Sequence, residues 1–442
     1  MSKTKFSSRL GFVLSAAGSA VGLGNIWRFP YLAAEYGGGI FLIVYIAVTL
    51  IFGFPIMAME IAIGRRAAKA SIASYKELGK GGGTLGWLAA AVTLITLPYY
   101  CVIGGWVLKY AITFASGYGR ALGVEGFYDT YISKTAEPIV YQVLFLFAAT
   151  LIVMLGVRSG IEKANRVFMP ALVVLALILA VYCLTLDGAI DGLVYYLKPD
   201  FEKFSFRTIL AATGQMFYSM SLASGIIVTF GAYMERSSDI SKSVKQVELF
   251  DVGIAFVSGL IVICSTFALS GGEMAMTAGT GLMFEAMPRV FGEMPFGQIA
   301  GIVFFVLVLF AALSSAISMM EVNVANLMER FHFRRQTAAL IMAGVLFVLG
   351  IPSTLGYGLW EHIRPFGRTI LDFLDTAGNS VLSPIVALLT CLYVGWVLKP
   401  SVLSEEIEKS GTFKRRRSFE FIIKYLAPVF IAAVLIGSAL GV

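Results

Sequence analysis

The sequence predicts an all-α integral membrane protein of about eleven transmembrane helices, arranged as an inverted five-plus-five helix repeat with broken first and sixth helices. Of the 442 residues, 58% are hydrophobic and only 14% are charged, and the mean hydropathy is +0.83. A water-soluble protein of this length needs far more charge on its surface, so the chain belongs in a membrane. Two polar interruptions at corresponding positions of the chain predict the repeat.

Eleven apolar runs are long enough to cross a bilayer, which takes about 20 helical residues. They lie near residues 11–35, 40–64, 85–116, 139–156, 165–185, 207–234, 246–270, 296–328, 336–352, 366–398 and 419–440. We expect breaks inside the first, sixth and tenth runs. We predict that residues 1–442 form a single membrane domain. It contains five-helix repeats at 9–185 and 207–398 and an additional C-terminal helix at 419–440.

Basic residues beside the spans predict the orientation, because short cytoplasmic loops carry an excess of lysine and arginine. They precede the first and last spans and follow the second, fourth and eighth, for example at Lys3, Arg65, Arg158, Arg334 and Arg416. We therefore expect a cytoplasmic N-terminus and, with an odd number of helices, a C-terminus outside the cell membrane. The same bias accounts for the net charge of +7 without a nucleic-acid partner.

The first span contains three glycines within seven residues, Gly18, Gly22 and Gly24, followed by Asn25 and Arg28. Unwound backbone at this depth is tolerated only where protein, ligand or water satisfies its polar groups. A break here would therefore mark a buried site, in which a half-helix N-terminus attracts an anion and free carbonyls bind a cation. The alternative is a glycine-rich packing face, since small residues let membrane helices approach closely.

The sixth span has a second interruption, in which Ser219, Ser221, Ser224 and Gly225 fall within an apolar run. Paired interruptions in corresponding spans predict a transporter built from inverted repeats, with its binding site between them. The two interruptions share their positions and do not align in sequence.

Two carboxylates lie within apolar spans, where an ionisable residue is functional or paired by default. We expect Glu60, at the end of the second span, to brace the broken first helix. Asp251, in the seventh span, has no basic residue within one helical turn. Either a protein-borne cation such as Arg28 or a bound metal ion must balance its charge.

The eighth span brings the Ala311 carbonyl and the hydroxyls of Ser314 and Ser315 to one face of a helix. Neutral oxygens of this kind suit a hard monovalent cation, although helix packing alone explains the same small residues. Neither histidine lies in a span, and the four cysteines lie in four different spans. The sequence therefore offers no nucleophile–base pair and no redox motif, and we expect no enzyme activity.

Five segments resemble the neurotransmitter:sodium symporter family, in its bacterial amino-acid transporter branch. They lie at 17–30, 35–39, 59–65, 217–222 and 311–315, and the similarity extends over essentially the whole chain. The resemblance implies a sodium-coupled symporter that imports L-amino acids by alternating access. A membrane sensor or channel on the same scaffold is the alternative.

The resemblance further implies two co-transported Na⁺ ions. One would be bound by the carbonyls of Gly18, Val21 and Ala311 and by the hydroxyls of Ser314 and Ser315. The other would be bound by Ala20, Asn25, Ser219, Asp251 and the substrate carboxylate. Family members commonly have asparagine in place of Asp251, and a chloride-binding serine or a glutamate in place of Ala255. Because Asp251 supplies a fixed negative charge from within this sodium site, we expect that transport does not require chloride.

By the same resemblance, substrate contacts would come from Ser19, Ala20, Leu23, Gly24, Thr96, Tyr100, Tyr218, Ser219, Ser221, Ser224 and Met319. Arg28 would form an outer gate with Asp375 or Asp372, and an inner latch would consist of Lys3, Tyr233 and Glu329. Ser224 stands where the leucine-transporting relative has a bulky aromatic residue, so we expect a large hydrophobic or aromatic substrate. A small neutral amino acid is the alternative if a neighbour such as Met220 fills that space.

Overall fold

The computed structural model describes residues 5–270 and 280–440, which form helices and, apart from one isolated bridge between Gly38 and Pro199, no β-structure. Lys3 lies outside the described residues. Among these residues, nine helices are long and apolar enough to cross a membrane, and one bent pair makes a tenth candidate.

The bent pair consists of α1 (Arg9–Ala20) and α2 (Gly24–Glu35), which meet at 55°. The nine long helices are α3 (Gly39–Ala67), α5 (Gly82–Ala115), α6 (Ala136–Met154), α7 (Val157–Leu184), α10 (Ile240–Leu269), α11 (Gly297–Phe331), α12 (Arg335–Leu355), α13 (Ile370–Leu398) and α14 (Arg416–Gly437). Between them lie α4 (Ser71–Lys76), α8 (Phe206–Ser219) and α9 (Ile226–Tyr233). Shorter helices cover Phe127–Ser133, Ala189–Leu197, Met287–Glu293 and Ser401–Glu408.

Helices α8 and α9 are the two halves of the predicted sixth span, so every predicted span is helical. Residues 220–225 separate the two halves. Ser221 and Ala223 have left-handed backbone conformations there, with φ of 54° and 57°. Such a conformation costs an L-residue roughly 1–2 kcal/mol, so the surrounding structure must hold this break in place.

The break predicted in the tenth span is absent. Thr376–Leu382 is a π-helical segment inside the continuous helix α13. The glycine of this segment, Gly378, leaves room for the Thr96 hydroxyl, which would lie 2.9 Å from an added Cβ. A small residue here therefore permits close packing of α13 on α5 without unwinding the helix.

The first break combines the two alternatives that the sequence left open. The chain leaves the helix after Ala20, and the glycines of the break also allow close contacts. A Cβ on Gly24 would collide with the Tyr218 ring, and one on Gly22 would lie 2.8 Å from Ser315 Oγ. Helices α7, α10 and α11 enclose α1, so this break lies at the centre of the molecule.

Candidate functional site

A cavity of about 50 Å³ lies where the two breaks meet. All eleven residues that the sequence analysis assigned to substrate contacts line it: Ser19, Ala20, Leu23, Gly24, Thr96, Tyr100, Tyr218, Ser219, Ser221, Ser224 and Met319. Further lining residues were not predicted: Val92, Thr93, Phe217, Leu222, Ile226, Asn379 and Ser383. The apolar ones, Val92 on α5 and three residues of the sixth span, give no local signal that sets them apart from core residues, whereas Thr93, Asn379 and Ser383 are polar.

Serine side chains join the two unwound segments. Ser221 Oγ donates to the Ser19 carbonyl at 2.8 Å, and Ser19 Oγ donates to Ser221 Oγ at 3.0 Å. Ser224 Oγ donates to the Ser221 carbonyl at 2.7 Å, which fixes the turn. The breaks of the first and sixth spans therefore form one structural unit.

Two hydroxyls of α5 in the cavity lining, those of Thr96 and Tyr100, are buried and form no hydrogen bond of good geometry among the described residues. Leaving a buried polar group unsatisfied costs about 1–3 kcal/mol. These hydroxyls are therefore available to a ligand, and a tyrosine hydroxyl can donate to a carboxylate.

Asp251 is fully buried in α10 and accepts hydrogen bonds from three neutral side chains. Its Oδ1 accepts from Asn25 Nδ2 at 2.8 Å. Its Oδ2 accepts from Tyr45 OH at 2.6 Å and from Ser219 Oγ at 3.3 Å. No lysine or arginine of the described chain forms an ion pair with it. Ala20, the fourth predicted member of this cation set, lines the adjoining cavity.

Tyr45 is the contact to Asp251 that sequence reasoning missed. It lies within the apolar run of α3 and is completely buried, and its hydroxyl also bonds Ser219 Oγ at 3.0 Å. A tyrosine in a membrane span needs a hydrogen-bond partner, which was the available signal. The partner is 206 positions away in the chain, so sequence alone did not identify it.

Three members of the other predicted cation set, Gly18, Ser314 and Ser315, are brought together between α1 and α11. Ser315 Oγ lies 3.4 Å from the Gly18 carbonyl oxygen and 3.2 Å from that of Ser19. Ser314 Oγ donates to the Ala311 carbonyl at 3.0 Å. Val21 is the first residue after α1, at the break itself. The oxygens that these contacts involve are neutral carbonyls and hydroxyls.

Glu60 braces the sixth span and not the first, contrary to expectation. Its Oε1 accepts from the backbone N–H of Ala223 at 2.7 Å, inside the second break. The reason is the packing of α3 against α9. A Cβ on Gly64 would collide with the Val228 carbonyl, and one on Gly231 would lie 2.5 Å from the Ile61 carbonyl oxygen.

The predicted outer gate residues share a cavity of about 180 Å³ without forming an ion pair among the described residues. The Arg28 guanidinium lies over the Tyr218 ring, 5.2 Å from its centroid. Asp375 accepts from Tyr99 OH at 2.7 Å, whereas Asp372 accepts from the Thr369 hydroxyl of its own helix. Arg28 therefore does not balance Asp251, and Tyr218 separates it from the substrate cavity.

The inner latch differs from its prediction. Tyr233 OH donates to Glu321 Oε1 at 2.7 Å, and Arg335 binds the same carboxylate with two nitrogens at 2.6 and 2.8 Å. Glu329 instead accepts from the backbone N–H of Ala70 at 2.6 Å. The two glutamates are eight positions apart on α11, about 12 Å along a helix, so one tyrosine cannot serve both. The intramembrane acid Glu321 was the missed signal.

Comparisons with known proteins agree with this architecture. The family model of the sodium:neurotransmitter symporter family matches residues 3–119 and 120–442. A sodium-dependent transporter of Bacillus subtilis is 32% identical over 440 residues, covering 98% of this chain and 97% of that protein. A sodium-dependent transporter of Methanocaldococcus jannaschii is 33% identical over 459 residues, covering 100% of this chain and 92% of that protein.

A solved structure is similar over the same extent. The crystal structure of MhsT in complex with L-phenylalanine has a TM-score of 0.90 and 36% sequence identity, and the match covers 98% of this chain and 99% of that one. The resemblance seen in the motifs is thereby confirmed over the whole sequence and fold. The chain is a sodium-coupled membrane transporter, not an enzyme, and belongs to the sodium:neurotransmitter symporter family.

Proposed function

We propose that this protein is a symporter of the cell membrane that imports L-amino acids together with two Na⁺ ions by alternating access. The observation that carries the proposal is the arrangement of four helix ends around one cavity. The C-terminal ends of α1 and α8, at Ala20 and Ser219, line it together with the N-terminal ends of α2 and α9, at Gly24 and Ile226. Helix N-termini favour a carboxylate, and C-termini favour an ammonium group or a cation.

In this proposal the α-carboxylate lies near Gly24 and the Tyr100 hydroxyl. One Na⁺ is held by Gly18, Val21, Ala311, Ser314 and Ser315. The second is held by Ala20, Asn25, Ser219, Asp251 and the substrate carboxylate. Hydroxyl, amide and carboxylate oxygens are the ligands expected for a hard cation, which supports both assignments.

We infer that transport does not require chloride. Asp251 supplies a fixed negative charge beside the second ion, and the described contacts of this carboxylate are all neutral. One helical turn later, Ala255 offers no hydroxyl to an anion and is fully buried. The negative charge that balances the ion is therefore part of the protein.

For the substrate, we propose a large hydrophobic or aromatic L-amino acid. MhsT, at 36% identity, has been crystallised with L-phenylalanine, and Ser224 is a small residue in the cavity lining of this chain. The cavity volume of about 50 Å³ favours a second candidate, a small neutral amino acid, because an engineered protein cavity that binds benzene has a volume of about 150 Å³. An aromatic substrate therefore requires lining side chains to move, which the flexible Met319 permits.

For access, we propose that Arg28, with Asp375 or Asp372, closes the outer side. Tyr233 would close the inner side through its hydrogen bond to Glu321, the carboxylate that also pairs with Arg335. We further propose that the N-terminus lies in the cytoplasm and the C-terminus outside. The excess of basic residues in the loops on one side supports this orientation.

The test is counterflow of a labelled amino acid in proteoliposomes. We expect uptake that requires sodium, persists when gluconate replaces chloride, and is competed by tryptophan, phenylalanine or leucine more strongly than by alanine or glycine. Competition by alanine alone would support the second candidate. Absence of sodium-dependent counterflow with every L-amino acid would contradict the transport proposal and favour a sensor or channel.

A further inference from the structure

A second cavity, of about 950 Å³, opens at the end of the helix bundle where α1 and α10 begin. Its lining includes five basic and two acidic side chains: Arg9, Lys242, Lys245, Lys414, Arg415, Glu235 and Asp239. The basic residues come from three separate parts of the chain, namely α1, α10 and the segment before α14. Among the described residues, this basic cavity shares no lining residue with the substrate cavity.

Most of the positive charge of the basic cavity has no ionic partner. Lys242 pairs with Asp239 at 3.7 Å. The other four basic residues form no ion pair among the described residues: Arg9, Lys245, Lys414 and Arg415. Two carboxylates offset part of this charge, those of Glu235 in the lining and of the buried Glu248, which interacts electrostatically with Arg415 and Lys245. The cavity therefore keeps an excess of positive charge, which favours an anionic ligand.

One of these cations is held in position by an aromatic ring. The Arg415 guanidinium lies over the Phe54 ring of α3, 5.4 Å from its centroid. Phe54 is only 2% exposed and forms part of the cavity wall. A guanidinium stacked on a ring keeps its in-plane N–H donors free, and their planar arrangement matches the oxygens of a phosphate. The cavity thus presents a fixed phosphate-binding group.

The basic cavity borders the lipid-facing surface of the bundle. On α10, Lys245 and Leu249 are four residues apart and share one helix face, and Leu249 is 73% exposed. On α3, Leu50 is 48% exposed and precedes Phe54 by one turn. Large apolar side chains exposed on membrane spans contact acyl chains, whereas basic side chains near span ends reach the interface. The basic residues therefore lie at headgroup depth, directly beside acyl chains.

We propose that the basic cavity binds the phosphate headgroup of an anionic phospholipid, whose acyl chains pack along Leu50 of α3 and Leu249 of α10. The inference rests on the membrane location and not on the proposed substrate or ions, and the cytoplasmic leaflet follows from the proposed orientation. Basic pockets between membrane helices are known binding sites for acidic headgroups. Because one headgroup contacts α1, α10 and the segment before α14, its binding stabilises their packing.

The test is binding of phosphatidylglycerol to the delipidated full-length protein in neutral detergent, measured as the unfolding temperature at increasing mole fractions of lipid. We expect phosphatidylglycerol to raise the unfolding temperature more than phosphatidylcholine does. Lys245→Gln with Arg415→Gln removes two positive charges at exposed positions. It should weaken the apparent affinity for phosphatidylglycerol at least about tenfold, because each basic residue beside an anionic lipid changes the affinity about fivefold.

The matched control is Arg330→Gln with Arg334→Gln, which removes two exposed charges from the same end of the bundle, outside the basic cavity. It should keep the wild-type affinity. Equal weakening by both double variants would show general charge attraction and overturn the site. Equal stabilisation by phosphatidylcholine would overturn the anionic headgroup, and equal stabilisation by glycerol phosphate would overturn the lipid in favour of a soluble anion.

A second variant covers the contact between Arg415 and Phe54. If its loss prevents folding, Lys245→Gln with Lys414→Gln removes two charges of the same cavity and leaves that contact in place. The same weakening is expected, and wild-type affinity in this variant would contradict the proposal. None of these measurements involves transport, so a failure of the transport proposal would leave their outcome unaffected.

Discussion

The fixed charge of Asp251 provides the sharpest test of the sodium chemistry. Asp251→Asn keeps the size of the side chain and an oxygen for Asn25, and it removes one negative charge from a fully buried position. Tyr45 and Ser219 can reverse their hydroxyls to accept from the new amide, so the fold should tolerate the change. The expected effect is therefore electrostatic.

The magnitude follows from the burial and from the absence of a protein cation among the described contacts. A cation about 4 Å from a carboxylate gains about 4 kcal/mol at an effective dielectric constant of about 20. Each 1.4 kcal/mol changes an equilibrium constant tenfold. Sodium affinity at this site should therefore fall by a factor on the order of 1,000, unless another anion replaces the lost charge.

The assay is sodium-dependent uptake in proteoliposomes, measured in chloride and in gluconate. We expect Asp251→Asn to lose transport in gluconate, and any transport that remains should depend on chloride. The matched control is Asp191→Asn, the same substitution at an exposed position of the helix Ala189–Leu197, which should behave as the wild type. Unchanged sodium dependence of Asp251→Asn in gluconate would refute the reasoning, as would a wild-type protein that stops when chloride is replaced.

Three further predictions follow from the same site. Ser314→Ala with Ser315→Ala removes two neutral ligands and should raise the sodium concentration for half-maximal transport at least about tenfold, or 1.4 kcal/mol; an unchanged value would contradict this cation set. Tyr45→Phe removes one donor from a buried carboxylate and should lower the free energy of unfolding in sodium-free detergent by about 1.5–3 kcal/mol; an unchanged unfolding temperature would show that the bond contributes nothing. Ser224→Phe should abolish competition by tryptophan and retain that by leucine; a wild type that takes up alanine but is not competed by any aromatic amino acid would contradict the large-substrate proposal.

The sequence by itself determined the membrane fold and the two breaks. Glycines at Gly18, Gly22 and Gly24 and serines at Ser219, Ser221 and Ser224 are local signals, because apolar runs of spanning length rarely contain so many polar or helix-breaking residues. Backbone that leaves a helix inside a bilayer must be satisfied by something other than lipid. Local composition therefore predicted both where the helices are interrupted and that the interruptions meet at a binding site.

Only the tertiary structure decided which residues meet across the fold. Tyr45 bonds Asp251, Glu60 braces the second break, and Tyr233 bonds Glu321 instead of Glu329. The tenth span contains a glycine as the broken spans do, but its helix is continuous, because that glycine serves close packing against α5.

The physical reason is that a hydrogen bond depends on the orientation and register of two helices, not on either helix alone. A polar residue in an apolar run indicates that it has a hydrogen-bond partner, because burying an unpaired polar group there costs free energy. Which partner is chosen depends on helix packing, and packing is set by contacts such as those of Gly64 and Gly231, far apart in the chain. The sequence thus determined the need for each contact, and the packed structure determined its identity.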